Sequence, residues 1–410
     1  MRSRKAAVAF IFVTVLLDML ALGIVLPVLP KLVERFLNGD TARAATIYGV
    51  FGSAWALMQF ISMPLLGALS DRYGRRPVIL FSCVGLACDQ VLMALAPNLT
   101  WLFVGRLISG VSAANISTAY AYIADVTAQH DRARAFGLIG TAAGMGLVLG
   151  PALGGALGAV GPQVPFWLAV ALSAANALYG WFVLPESLPP ERRQEFAWSK
   201  ANPIAALKLL KSHRQLLGLA TTDFLFQLAR IVLPSTAVLY IGHRYGWGET
   251  AAGLVLASIG ASALIVQGGL VGPVVKRFRE RRALLAGLAF GAAGMLVFGL
   301  APSGLVFAAG IPLLALWGFI EPSAQALMTN RVNESEQGRL QGAASCVQAV
   351  AGMIGPAIFT QAFAFFIAAD RSVELPGAPF VMAALLLAGG VAVAWRTTHG
   401  KRSTQTKKLY

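Results

Sequence analysis

The chain has 410 residues, of which 57% are hydrophobic and 12% are charged, and its mean hydropathy is +0.68. This composition excludes an ordinary soluble globular protein of this size and predicts a polytopic membrane protein. The net charge of +15 does not predict a nucleic-acid partner, because most of the 33 lysines and arginines lie in loops on one predicted side of the membrane.

The N-terminal residues resemble a signal peptide only at first. The basic start is followed by an apolar run that continues past Asp18 to about Leu29, so we predict an uncleaved first helix. The three cysteines fall inside predicted helices, and the four histidines are scattered through loops and the tail. We therefore predict no metal site, no cofactor, no catalytic residues and no enzymatic activity.

Hydropathy predicts twelve membrane-spanning helices in two sets of six. The predicted spans are residues 6–29, 46–69, 77–96, 100–124, 135–159, 163–184, 214–241, 250–274, 282–301, 303–328, 339–368 and 378–395. The predicted fold is an all-α membrane protein with two pseudo-symmetric six-helix bundles, residues 1–184 and 214–396. Residues 185–213 are predicted to be a cytoplasmic linker, and residues 397–410 a basic cytoplasmic tail.

The two halves repeat weakly at an offset of 205 residues. The matching pairs are Arg134 with Arg339, Gly137 with Gly342, Pro151 with Pro356, Gly67 with Gly272, Arg72 with Arg277, and Tyr73 with Phe278. Symmetry of this kind predicts a substrate site between the halves, near the middle of the membrane. Because Lys276 stands where the first half has Asp71, the two equivalent loops are not expected to act alike.

The connection between the second and third spans is a short basic turn. Residues 67–77 read Gly-Ala-Leu-Ser-Asp-Arg-Tyr-Gly-Arg-Arg-Pro, and the arginines predict a cytoplasmic location. A generic basic loop would explain the arginines but not the fixed spacing of the glycines and the aspartate. The pattern resembles the corresponding loop of the major facilitator superfamily, and the resemblance implies a cytoplasmic gate in which the loop faces an acid at the end of the fourth helix. The implied gate residues are Gly67, Asp71, Arg72, Gly74, Arg75, Arg76 and Asp125.

The fifth span carries a small-residue face with a proline. Its members are Gly146, Gly150, Pro151, Gly154 and Gly155. Glycines four residues apart let helices approach closely, so ordinary helix packing would explain the glycines alone. The complete pattern resembles the fifth-helix motif of antiporters in this superfamily, and it implies exchange rather than uptake.

Six ionisable residues lie inside predicted spans: Asp18, Asp89, Arg106, Asp223, Arg230 and Glu321. Each costs roughly 3 kcal/mol at the bilayer centre, so these residues are expected to face one another or a wet cavity. Helical spacing groups them with other polar and aromatic residues into stripes. The predicted substrate-cavity residues are Trp55, Gln59, Asn115, Asp223, Gln227, Arg230, Trp317 and Gln325. For Asp223 and Arg230 the alternative is a stabilising pair with no part in transport.

A desolvated carboxylate close to an arginine can bind and release a proton near neutral pH. We therefore predict that Asp18, Asp89 and Glu321 carry protons, with Arg106 as their switchable partner.

A closer resemblance is to the drug/proton antiporters that export tetracycline. It rests on Leu17 and Asp18 in the first span, Met58 and Gln59 in the second, Cys88 and Asp89 in the third, and Gly105, Arg106 and Gly110 in the fourth. The chain departs from that family in having no ionisable residue over 283–300, in its ninth span, and in carrying Arg230 and Glu321. These departures are compatible with the superfamily, and they imply either that the proton pathway runs through Glu321 or that the cargo differs.

The resemblance implies a proton-coupled efflux antiporter that exports a small amphipathic or aromatic compound, with tetracycline as one candidate. The alternative is a proton-coupled importer of a sugar or an organic acid. An ATP-driven pump is disfavoured because the sequence has no phosphate-binding Gly-x-x-x-x-Gly-Lys-Ser/Thr loop. The expected partners are a small-molecule substrate, protons and the lipid bilayer. The expected state is a monomer in a bacterial-type inner membrane with both termini in the cytoplasm.

Overall fold

Helices make up all the regular secondary structure in the described part of the chain. The computed structural model describes residues 2–113, 115–128, 131–193, 214–333, 336–368 and 374–399. Eleven helical stretches there are long and apolar enough to cross a membrane. The longest, Glu249–Leu300, is interrupted by the non-helical backbone of Arg279 and therefore contains two spans. The predicted all-α fold with twelve spans is thus confirmed.

We number the spans 1 to 12 in chain order. Their helical segments are Arg2–Val25 with Leu29–Phe36 (span 1), Thr41–Tyr73 (span 2), Arg75–Ala94 (span 3), Leu99–Ser112 with Asn115–Val126 (span 4), Arg132–Val160 (span 5), Val164–Val183 (span 6), Arg214–Arg230 with Val232–Tyr245 (span 7), Glu249–Ile265 and the part of Val271–Leu300 before Arg279 (span 8), the part of Val271–Leu300 after Arg279 (span 9), Gly304–Ala315 with Ile320–Thr329 (span 10), Gln337–Ile367 (span 11) and Ala378–Thr398 (span 12).

Two boundaries differ from the hydropathy prediction. Span 1 does not end near residue 29 but continues as Leu29–Phe36, because Pro30 lies in the first turn of this short helix, where its missing N–H is not needed. The connector predicted between spans 8 and 9 is reduced to a break at Arg279. The predicted linker is described only to residue 193, and the predicted tail only to residue 399; the rest of both lies outside the described residues.

Each set of six spans has hydrophobic clusters of its own. Spans 7 to 12 supply nearly all of the largest cluster, in which Tyr240 packs against Phe307 and Phe380. Among the described residues, spans 1 to 6 form three further clusters, one containing Phe10, one containing Phe166 and a small one of Leu66 and Val78.

The repeat between the halves extends to the backbone. Gly74, between spans 2 and 3, has φ 108° and ψ 162°, and Arg279, its equivalent between spans 8 and 9, has φ 64° and ψ 160°. The preceding pairs also correspond, because Arg72 lies over the ring of Tyr73 and Arg277 over the ring of Phe278. Positive φ suits glycine, so the arginine in the second copy holds a conformation that is costly for its side chain.

The two halves meet at one end of the bundle. We call the end that carries residues 67–77 the basic end and the opposite one the closed end. At the closed end Arg35 Nη2 lies 2.5 Å from Glu249 Oε1, and Tyr48 donates a hydrogen bond of 3.2 Å to the carbonyl of Pro234. Span 5 also packs against span 8 and span 2 against span 11.

At the basic end the halves are separated. A Cβ atom on any of four glycines there would meet no described atom within 4 Å, namely Gly67, Gly137, Gly272 and Gly338. Among the described residues, the hydrogen bonds that join the halves, which are Arg35 to Glu249, Tyr48 to Pro234 and Thr250 to Gly155, lie toward the closed end, whereas the cavity between the halves reaches Asp71 and Arg75 at the basic end.

Candidate functional site

A cavity of about 1110 Å³ lies between the two halves. Its wall begins near Leu29 and Tyr48, toward the closed end, and reaches Asp71 and Arg75 at the basic end. The lining is mostly apolar, with Phe51 among its aromatic residues. Its polar members are Tyr48, Trp55, Gln59, Ser70, Asp71, Arg75, Arg106, Ser117, Thr118, Gln227, Arg230, Ser235, Ser345 and Gln348. A large apolar cavity with a few polar groups is the usual form of a small-molecule site.

Several residues that were predicted to line the cavity do so. Trp55 and Gln59 line it from span 2, and Gln227 and Arg230 from span 7. Arg106, predicted as a proton-coupling partner, lines it from span 4. Among the described side chains, none provides a hydrogen-bond partner for the buried atoms Trp55 Nε1, Arg106 Nε and Gln227 Oε1. These three atoms would be satisfied by a polar guest or by water.

Other predicted cavity residues lie elsewhere. Trp317 is buried and packs edge-on against Phe226, with ring centroids 5.7 Å apart. Gln325 donates a hydrogen bond of 2.8 Å to Gln341, away from the cavity wall. Asp223 is 6% exposed and does not line the cavity, whereas Gln227, one helical turn later, does. Asn115 begins the second helix of span 4, but its side chain lies outside the described part of the structure.

Asp89 and Arg106 form a buried ion pair beside the cavity. Arg106 Nη2 lies 3.3 Å from Asp89 Oδ2 and also contacts the hydroxyl of Ser109 at 3.4 Å. Asp89 has no exposed surface, whereas Arg106 reaches the cavity wall. The close approach of spans 3 and 4 depends on Gly105, since a Cβ atom there would lie 2.9 Å from Asp89 Oδ1. The pair therefore connects a desolvated carboxylate with the cavity.

Asp18 lies within the first half rather than at the cavity. Its Oδ1 accepts a hydrogen bond of 2.8 Å from Asn176 Nδ2, and the same amide donates to the carbonyl of Thr14. Both Asp18 and Asn176 are buried. The contact ties span 1 to span 6.

Glu321 lies near Arg230. Its Oε2 is 4.0 Å from Arg230 Nη1, and its side chain is half exposed. Arg230 also lies over the ring of Phe226, 6.0 Å from the centroid. Spans 7 and 10 thus place a loosely paired acid beside the arginine that lines the cavity.

The basic loop is organised around Arg75. Its guanidinium contacts Asp71 Oδ1 at 2.5 Å and Asp125 Oδ2 at 3.1 Å, and it donates a hydrogen bond of 2.7 Å to Ser70 Oγ. Arg76 donates to the carbonyl of Trp181. Asp125 therefore does face the loop, through Arg75, whereas the predicted gate residue Arg72 lies over Tyr73.

The sequence analysis missed Glu186 in this network. Its carboxylate accepts hydrogen bonds from the backbone N–H groups of Arg75 at 2.9 Å and Arg76 at 3.2 Å, which begin span 3. Gly74 has φ 108°, a conformation that suits glycine, and a Cβ atom there would also clash with this carboxylate. One feature of the sequence could have indicated such an acid. Span 3 begins without a capping side chain of its own, so its first N–H groups need an acceptor from elsewhere in the chain.

Replacing Glu186 with alanine is expected to lower the free energy of unfolding by about 1 kcal/mol, because two helix-starting N–H groups lose their acceptor. Chemical unfolding in detergent measures the change. Glu191→Ala, the same substitution at another exposed position of this segment, is the control and should have little effect. Equal stability of the two variants would contradict the capping role.

The glycines of span 5 permit two close helix contacts. A Cβ atom on Gly150 would lie 2.6 Å from Gly23 Cα of span 1, and one on Gly155 would lie 2.9 Å from Gly253 Cα of span 8. Gly146 and Gly154 likewise face span 1, and Pro151 lies against both neighbours. The motif is therefore packed between its own half and the opposite half.

Comparison with known proteins gives consistent results. The model of the Major Facilitator Superfamily matches residues 11–356. The chain is 38% identical over 364 residues to the tetracycline resistance protein, class C, of Escherichia coli, covering 89% of this chain and 91% of that one. Two solved structures share the fold at 17% identity. A bacterial homologue of the human lysosomal transporter Spinster, inward-facing and unoccupied, has a TM-score of 0.78 and covers 97% of both chains. A D-xylose–proton symporter has a TM-score of 0.73 and covers 99% of both. The chain is a multi-pass membrane transporter that belongs to the Major Facilitator Superfamily, where its relatives include tetracycline resistance proteins.

Proposed function

We propose that this transporter is a proton-coupled efflux antiporter for small amphipathic or aromatic compounds, with tetracycline as the first candidate. The observation that carries the proposal is the buried Asp89–Arg106 pair at the wall of an apolar, aromatic cavity. The Escherichia coli relative is named a tetracycline resistance protein, which supports tetracycline as a candidate cargo. The glycine motif of span 5 supports exchange, by its resemblance to antiporters.

The proposed orientation places the basic end in the cytoplasm, because positively charged loops remain on that side. Both termini then lie in the cytoplasm, and the membrane is a bacterial-type inner membrane. Residues 1–184 and 214–396 would rock against each other as two domains, alternately exposing the cavity at either end. In the present state the cavity would open to the cytoplasm, where an exporter takes up its cargo. A monomer is sufficient for this cycle.

Proton coupling would operate at Asp89. A proton on Asp89 removes its charge and weakens its hold on Arg106, whose guanidinium can then extend farther into the cavity. The added positive charge and bulk oppose a bound substrate, so a proton and a substrate would occupy the site in turn. Asp18, which is hydrogen-bonded to Asn176, would relay or store protons within the first half.

The experiment is pH-dye quenching in everted vesicles that are energised and then given tetracycline. Proton release on adding tetracycline is the expected result, and Asp89→Asn should abolish it. The control is Asp40→Asn, which removes an exposed carboxylate but keeps a good helix cap. Full proton release in Asp89→Asn would refute the coupling role. Proton entry together with a solute would instead favour the symporter alternative.

A further inference from the structure

A second set of charges lies within the membrane in the other half. Span 7 carries Asp223, Gln227 and Arg230 on one face, and span 10 brings Glu321 to Arg230. The cluster therefore contains two carboxylates and one guanidinium. In contrast, Asp89 and Arg106 in the first half are matched one to one. An unmatched ionised carboxylate within a membrane is costly, and binding one proton removes the excess charge.

Burial indicates which carboxylate takes the proton. Asp223 is 6% exposed, whereas the side chain of Glu321 is 56% exposed. Desolvation penalises the ionised form most where burial is greatest, so the neutral form is favoured at Asp223. The charged groups that act on Asp223 are Arg230 of its own span and Glu321 of span 10. The other spans packed against span 7 add no further charge acting on Asp223 within the described residues.

Asp223 is connected to the cavity through its neighbours. Gln227, one helical turn after Asp223 on the same face of span 7, is 4% exposed and lines the cavity wall. Its Oε1 has no hydrogen-bond partner among the described residues, so it is free to accept from a water or hydronium ion in the cavity. Arg230 lines the same wall. A proton bound at Asp223 can thus exchange with the cavity without crossing the apolar core.

We propose that Asp223 is a second proton-binding site of this transporter, held in the second half by Arg230 and Glu321 and reached from the cavity through Gln227. Its role in transport rests on the proposed function, but its protonation does not. If both sites take part, one cycle moves a proton through each half. Glu321 then keeps Arg230 in place rather than carrying the proton itself.

Infrared spectroscopy of the purified, membrane-reconstituted protein tests the site directly. A protonated carboxylic acid has a carbonyl stretch that an ionised one lacks. At neutral pH we expect a component of this band that disappears in Asp223→Asn and persists in Asp89→Asn. The band should weaken in Glu321→Gln, because that variant leaves Asp223 and Arg230 matched one to one. If Asp223→Asn leaves the band unchanged while its circular dichroism matches that of the parent protein, the proposal is overturned.

A second experiment distinguishes a failure of this inference from a failure of the proposed function. Adding tetracycline to the reconstituted protein should reduce the Asp223-dependent band if the substrate displaces that proton. In vesicles, Asp223→Asn should release about half as many protons per tetracycline as the parent, whereas Arg244→Gln, an exposed charge loss in the same span, should release the parent number. If the Asp223-dependent band is present but tetracycline changes nothing in either assay, Asp223 binds a proton as proposed and tetracycline is not the cargo. A full parent-level proton yield in Asp223→Asn would overturn its part in transport.

Discussion

Replacing Asp89 with alanine is expected to lower the free energy of unfolding by about 3–5 kcal/mol, the cost of leaving a buried charge without its partner. Arg106 is 8% exposed, and its hydrogen bonds to Ser109 and Met93 are long and involve uncharged groups. Chemical unfolding in mixed micelles measures the loss. The amide of Asp89→Asn can still accept from Arg106, so we expect a smaller loss there.

Removing both partners provides the matched control for this result. Asp89→Ala combined with Arg106→Met takes away the unpaired charge and refills part of the space. This double variant should recover a large part of the stability that Asp89→Ala loses, because replacing a buried ion pair with apolar side chains is often nearly neutral. A double variant as unstable as the sum of its single substitutions would show that the two groups contribute independently.

Replacing Gly155 with alanine is expected to shift the transporter away from the state described here. The new Cβ atom would clash with the backbone carbonyl oxygen of Glu249 in the opposite half. Overpacking of this kind costs about 1–3 kcal/mol. Since about 1.4 kcal/mol corresponds to a tenfold change in an equilibrium constant, the ratio of closed to open molecules at this end should fall by roughly 5- to 150-fold.

Spin labels at Arg43 and Arg244, exposed positions in the two halves near the closed end, measure this shift. Electron–electron double resonance should show a longer distance in Gly155→Ala than in the parent. Gly137→Ala is the control, because a Cβ atom on Gly137 meets no described atom within 4 Å. If Gly155→Ala and Gly137→Ala give the same distance distribution, the contact between spans 5 and 8 does not hold the closed end.

The sequence predicted the fold well because a membrane imposes a simple requirement. Every span needs a long apolar run, and hydropathy detects such runs directly. The hydropathy prediction was wrong only for features that do not depend on the length of an apolar run. The extension of span 1 beyond Pro30 lies past the apolar run, and the break at Arg279 depends on a single backbone conformation.

The candidate site was predictable in part. Helical spacing correctly grouped Trp55 with Gln59 and Gln227 with Arg230, because each pair lies on one face of a helix. Spacing does not say which neighbour that face meets, so Trp317 turned out to pack against Phe226 instead of lining the cavity. The role of Glu186 could not be predicted for a similar reason, because its partners at the start of span 3 are distant in sequence.

The bonds of Glu186 have a mechanical consequence for the connection between the halves. Because Glu186 also accepts from the N–H of Leu188, and Ser187 donates to Asp125, the first residues after span 6 are fastened to the loop between spans 2 and 3. The end of span 6 and the loop between spans 2 and 3 therefore move together as one rigid unit. The chain cannot bend at the end of span 6 without breaking these bonds, so any bending between the halves must occur beyond Leu188.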